Sequence, residues 1–222
     1  MTRPKALLSW SSGKDAAWAL HSLRCEGEVE VVGLLTTTNE IFSRVAMHGV
    51  REALLEAQAE ATGLPLWKVP LPWPCSNEAY EARMASICAL AVAEGIEAIA
   101  FGDLFLEDVR DYRIQKLAGS GLAPLFPIWN PDTASLARDM VGAGLKATLV
   151  CVDPRVLDAT FAGRDFDVVL LADLPSGVDP CGERGEFHTF AWDGPMFCHP
   201  VPVARGEVVE RDGFIFADLV PA

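Results

Sequence analysis

The sequence predicts an α/β protein, a doubly wound parallel sheet followed by a smaller C-terminal α+β unit. Three observations carry this. Apolar, β-branched runs alternate with Ala- and Leu-rich runs of helical character through the N-terminal half, the pattern of β-α-β units. Polar clusters at residues 11–15, 36–39 and 102–103 each fall just past an apolar run, where such sheets bind ligands. The tail beyond Val201 instead alternates around Arg211-Asp212-Gly213, a hairpin signal.

In order, residues 6–10 read as a short apolar strand, 16–24 as a helix and 29–36 as a β-branched second strand. Residues 50–62 are helical, with Leu54, Leu55 and Ala59 on one apolar face and Gly63 as the stop. Residues 66–69 form a third strand, after which Pro70, Pro72 and Pro74 break regular structure. An Ala-rich helix over 77–94 ends at Gly95, and 98–101 is the fourth strand, closed by Gly102-Asp103. Pro124, Pro127 and Trp129 mark a connector with a soft boundary near residue 128. Beyond it Asp132 or Thr133 caps a helix to Ala143, and 147–152 is again a strand.

At 222 residues, half of them hydrophobic and 22% charged, the chain has the makings of a sizeable core and not of disorder. A net charge of −13 with scattered Lys and Arg argues against a nucleic-acid surface, which needs a basic stripe. The six cysteines include no C-x-x-C pair, so structural zinc or an iron–sulfur cluster is not expected. Cys25 and Cys88 read as small core residues. No signal peptide or apolar run of membrane length is visible, and the expected location is cytoplasmic.

The segment Ser11-Ser12-Gly13-Lys14-Asp15-Ala16 joins the first strand to the first helix. Small residues let the backbone curl so that N–H groups converge, and the positive end of the helix reinforces them. This is a phosphate cradle with Lys14 as a movable cation. A Walker A loop would be longer and carry Ser or Thr after its Lys, and G-x-G-x-x-G is absent. The segment resembles the S-G-G-K-D-S pyrophosphate loop of the ATP pyrophosphatases, with Ser12 in place of Gly and Ala16 in place of Ser. The second dense segment, Pro180-Cys181-Gly182-Glu183-Arg184-Gly185-Glu186-Phe187-His188-Thr189-Phe190, lets Glu183 and Glu186 converge on a ligand beside flexible glycines.

Together with Met47-His48-Gly49, Gly102-Asp103, Pro127-Ile128-Trp129 and Asp193-Gly194-Pro195-Met196-Phe197, these segments resemble the diphthine–ammonia ligase family of N-type ATP pyrophosphatases, from residue 6 to about residue 199. The resemblance implies a Rossmann-like (HUP-type) ATP-binding domain over 1–128 and a substrate-binding domain over 129–222. It implies adenylation of a carboxylate with release of pyrophosphate, then amidation by ammonium; in relatives the acceptor is diphthine on elongation factor 2. Carried over, Ser11, Ser12, Gly13, Lys14, Asp15, Thr36 and Gly102 would bind ATP. Lys14, Asp15 and Asp103 would be catalytic, with Asp103 a Mg2+ ligand. His48, Gly182, Glu183, Gly185, Glu186 and His188 would face the acceptor. Glu107, Arg110 and Arg113 could bind phosphate or pair with one another. A homo-oligomer stays open. So do two rival functions: a tRNA-modifying pyrophosphatase, disfavoured by the lack of C-x-x-C cysteines or an RNA-binding region, and a non-enzymatic ATP or AMP sensor, disfavoured by the paired glutamates.

Overall fold

The computed structural model describes residues 2–40, 44–45 and 49–222. Met47 and His48, expected near the phosphates or the acceptor, lie outside the described residues. The chain runs β1 (Lys5–Ser9), α1 (Lys14–Glu26), β2 (Glu30–Asn39), β3 (Arg44–Val45), α2 (Glu52–Thr62), β4 (Leu66–Leu71), α3 (Asn77–Ala93) and β5 (Ala98–Ala100). It continues through α4 (Glu107–Leu117), β6 (Ala123–Leu125), α5 (Thr133–Gly142), β7 (Lys146–Val152), α6 (Val168–Asp173), β8 (Phe187–Asp193), β9 (Val203–Arg211) and β10 (Phe214–Pro221).

Five strands lie parallel in the order β4-β2-β1-β5-β6, and short β3 pairs antiparallel with the far end of β2. The order reverses at β1, so the C-terminal end of β1 opens onto the crevice of a doubly wound sheet. Consecutive β1 side chains point to opposite faces: Leu8 enters one buried cluster and Leu7 the other. The Leu8 cluster continues through α1 and α2 into Leu149, Phe187 and Phe190 of the second sheet. That sheet is antiparallel, in the order β8-β7-β10-β9, and β8 packs along α1.

Among the elements that depart from the sequence reading, three bear on the sheet and the site. β4 runs on through Pro70 to Leu71, paired with β2, and β6 holds Pro124 inside a strand. Both are edge strands of the parallel path, where a missing N–H can face outward. Residues 107–117, read only for their charges, form α4; their sequence is polar on nearly every face, so no apolar stripe announced the helix. Cys25 is exposed on α1, whereas Cys88 is buried as expected. Among the described residues no helix is long and apolar enough to cross a membrane.

Candidate active site

The loop between β1 and α1 is held from three sides. Ser12 has φ 70°, the left-handed region, which costs a residue with a Cβ roughly 1–2 kcal/mol. The carbonyl of Ser12 accepts from the Ala191 N–H at 2.9 Å and from Gln58 Nε2 at 2.9 Å. Gln58, wholly buried, also donates to the Ala191 carbonyl at 2.6 Å and accepts from Trp10 Nε1 at 2.9 Å. The Lys14 N–H donates to Thr189 Oγ1 at 3.0 Å, and the Gly13 N–H reaches Ser11 Oγ at 3.4 Å. Gly102 presses on the same loop: a Cβ there would come within 2.9 Å of the Ala16 nitrogen. The Ser12 hydroxyl is buried with no hydrogen-bond partner among the described residues.

Lys14 is not the movable cation expected of it. Its side chain is buried, its Nζ donates to both Asp15 oxygens at 2.8 Å and to the Cys181 carbonyl, and the rings of Phe166 and Phe187 lie 5.5 and 5.6 Å away. Burial works against the ammonium, but Asp15 together with Cys181 and Glu183 outweighs it, and Lys14 is raised above its ordinary value. Burial pushes the Asp15 carboxyl up, against the pull of Lys14.

The turn from Asp179 to Glu186 is built on carboxylates. Asp179 accepts from the Thr133 hydroxyl at 2.6 Å and from the Glu183 N–H at 3.0 Å. Glu186, buried, accepts from the N–H groups of Asp179 at 3.0 Å and Arg184 at 2.9 Å, so both its oxygens serve its own turn. Glu183 reaches elsewhere, accepting from the Leu104 N–H at 2.8 Å. The two glutamates thus go to different partners and do not form the convergent pair that the sequence suggested. Gly182 has φ 70° and lies against the Phe187 carbonyl, where a Cβ would sit at 2.9 Å; Gly185 has φ 88°. Burial lifts the Glu183 carboxyl to about 7 although the Leu104 N–H opposes it. Asp103, which faces Arg113 Nε at 3.5 Å, is likewise raised by burial. Half-buried His188 on β8 is lowered, by burial first and then by the Lys14 charge.

Beyond Ser11 a cleft of about 750 Å³ opens at the C-terminal ends of the parallel strands, lined among others by Thr36, Tyr80, Met84, Phe101 and Arg113. Its size and mixed apolar and polar walls suit a nucleotide. The orphaned Ser12 hydroxyl at its loop fits a phosphate acceptor. For Mg2+ the fit is of a shared kind: among the described residues no three His, Cys, Asp or Glu side chains form a cage. A magnesium ion here would take Asp103 together with substrate phosphates, its usual habit.

The chain matches the diphthamide synthase N-terminal domain over residues 4–122 and the diphthamide synthase C-terminal domain over residues 132–216. It belongs to the diphthamide synthase family. The diphthine–ammonia ligases of Bos taurus and Homo sapiens are each 25% identical over 231 residues, covering 94% of this chain and 86% of theirs. That of Schizosaccharomyces pombe is 31% identical over 121 residues, 52% of this chain and 20% of its own. The diphthamide synthase family is one of ATP-dependent ligases.

Within this diphthamide synthase family fold, four contributors escaped the sequence reading. Gln58 carried a signal, since it stands on the same helical face as Leu54 and Leu55, a polar residue where a core residue belongs. Thr189 stands inside the second dense segment without having been singled out there, and Asp179 and Thr133 carried no signal, because they meet from distant parts of the chain.

Proposed function

We propose that the protein is an AMP-forming carboxylate–ammonia ligase: it adenylates a diphthine-like carboxylate, releases pyrophosphate and amidates the product with ammonium. What supports this is the direct linkage of the phosphate loop to the turn of Glu183, through Lys14 Nζ on the Cys181 carbonyl and the Lys14 N–H on Thr189. A carboxylate resists ammonia because its leaving group would be an oxide, and AMP replaces that group. Growing charge on pyrophosphate then needs fixed positive dipoles and cations nearby.

In this reading Ser11, Ser12, Gly13, Thr36 and Gly102 surround the nucleotide, and Lys14 acts from a fixed position, balancing Asp15 and tying down the turn. Asp15 and Asp103 stand by the phosphates, and Mg2+ held by Asp103 would supply further charge neutralisation. Gly182, Gly185 and Glu186 shape the acceptor turn, with His188 behind it. Glu183, whose carboxyl changes protonation near neutral pH, takes a proton as ammonium becomes ammonia. The acceptor is diphthine on elongation factor 2, as the relatives' name suggests for the small group.

The test is labelled ATP with ammonium and diphthine-bearing elongation factor 2. AMP and pyrophosphate should form only with the acceptor present. ADP and phosphate as products would overturn the reading.

A further inference from the structure

Among the described residues, one cation beside this site is unspent. Lys14 is bonded to Asp15 and the Cys181 carbonyl, Arg113 faces Asp103, and Arg184 lies over Phe105 and 3.9 Å from Glu186. Arg110 on α4 has no hydrogen bond or ion pair to a side chain among the described residues, and its Nε is buried without a partner. Residues 1 and 41–48 include no Asp or Glu. In a chain of net charge −13, a guanidinium without a carboxylate is out of keeping with its surroundings. A buried N–H left unpaired is costly, so it calls for a partner that the described chain does not supply.

The side chain is nevertheless held. Its guanidinium carbon lies 4.8 Å from the centre of the Trp129 ring and 5.4 Å from that of Phe126. Stacking fixes the plane of an arginine and leaves its donors free along the edge, the geometry that takes two phosphate oxygens. The position is also telling. Phe126 stacks on Phe101 at 5.7 Å, and Phe101 lines the cleft, as does Arg113 one helical turn further along α4. On the other side Trp129 precedes Asn130, whose N–H bonds the Leu104 carbonyl, and the Leu104 N–H holds Glu183. Arg110 is thus joined through Phe126 and Phe101 to the cleft wall, and through Trp129, Asn130 and Leu104 to the turn of Glu183.

We propose that Arg110 binds the α-phosphate of the nucleotide. The inference rests on the reading of the cleft as the ATP site, and the test separates the two. Calorimetric titration of the full chain with AMP and with adenosine compares wild type with Arg110→Met and Arg110→Gln, which keep the length of the stem and lose the charge. Either variant, once circular dichroism shows it folded, should bind AMP about tenfold or more weakly and adenosine as before. AMP affinity within about twofold of wild type, or an equal loss for adenosine, overturns the role of Arg110. Wild-type protein that binds neither compound overturns instead the assignment of the cleft, and the inference falls with it.

Discussion

Glu183, proposed to take a proton from ammonium, also bears on stability. Its carboxyl titrates at about 7 in the fold against an ordinary 4.5, chiefly because burial disfavours the charged form. Over that interval the folded protein keeps a proton that the unfolded chain has released. The contribution of Glu183 to stability is therefore full at low pH and lost as pH rises through the folded value. Glu183→Gln should flatten this dependence, so that the fall in melting temperature from about pH 5 to about pH 8 is smaller than in wild type. The same variant should lose roughly 10²- to 10⁴-fold in amidation while keeping its nucleotide affinity. A variant with the wild-type pH dependence and unchanged amidation would return Glu183 to the role of a turn residue. Glu186 reads differently although the sequence shows both glutamates in one motif: its oxygens are filled by the N–H groups of its own turn.

At the scale of elements, α2 matters through one polar side chain. Gln58 joins Trp10, the Ser12 carbonyl and the Ala191 carbonyl, so a helix outside the loop fixes the loop's backbone. Gln58→Leu should cost about 3 kcal/mol, since it strands buried polar groups that water cannot reach, and should weaken nucleotide binding as well. Urea unfolding and AMP titration check both; a loss under about 0.5 kcal/mol would mean that the loop stands without this support. The strands show which local signals mislead. Pro70 and Pro124 read as breakers, yet both lie in strands at the sheet's edges, because proline's missing donor costs nothing where no neighbour asks for it. The polar helix α4 escaped notice for the opposite reason, since it buries little and carries its meaning in Arg110 and Arg113.

Across the whole molecule the two sheets share one buried cluster, from Leu8 and Leu20 through Leu149 to Phe187 and Phe190. The β1–α1 loop lies in the N-terminal part of the chain, but Thr189, Ala191 and Cys181 supply hydrogen-bond partners for it. A fragment of residues 1–128 should therefore show no cooperative thermal transition and no AMP binding, read by circular dichroism and calorimetry. Cooperative melting of that fragment with retained nucleotide affinity would show that the loop is self-supporting.

The sequence by itself determined the alternation of strands and helices, the Gly stops at Gly63 and Gly95, the cap at Asp132 and the tail hairpin. It also marked the two segments that meet in the candidate site, through Lys14 on the Cys181 carbonyl and on Thr189. These are local properties, set by periodicity, by the freedom of glycine and by side chains that reach their own backbone. The tertiary structure decided which of those polar groups are spent and which remain open. Lys14, conspicuous in the sequence, is buried against the Cys181 carbonyl, whereas Arg110, which the sequence left between binding phosphate and pairing with Glu107 or Arg113, has a buried Nε without a partner among the described residues. Partners separated by more than a hundred residues leave no periodic trace, and only packing brings Lys14 to Cys181 and Thr189.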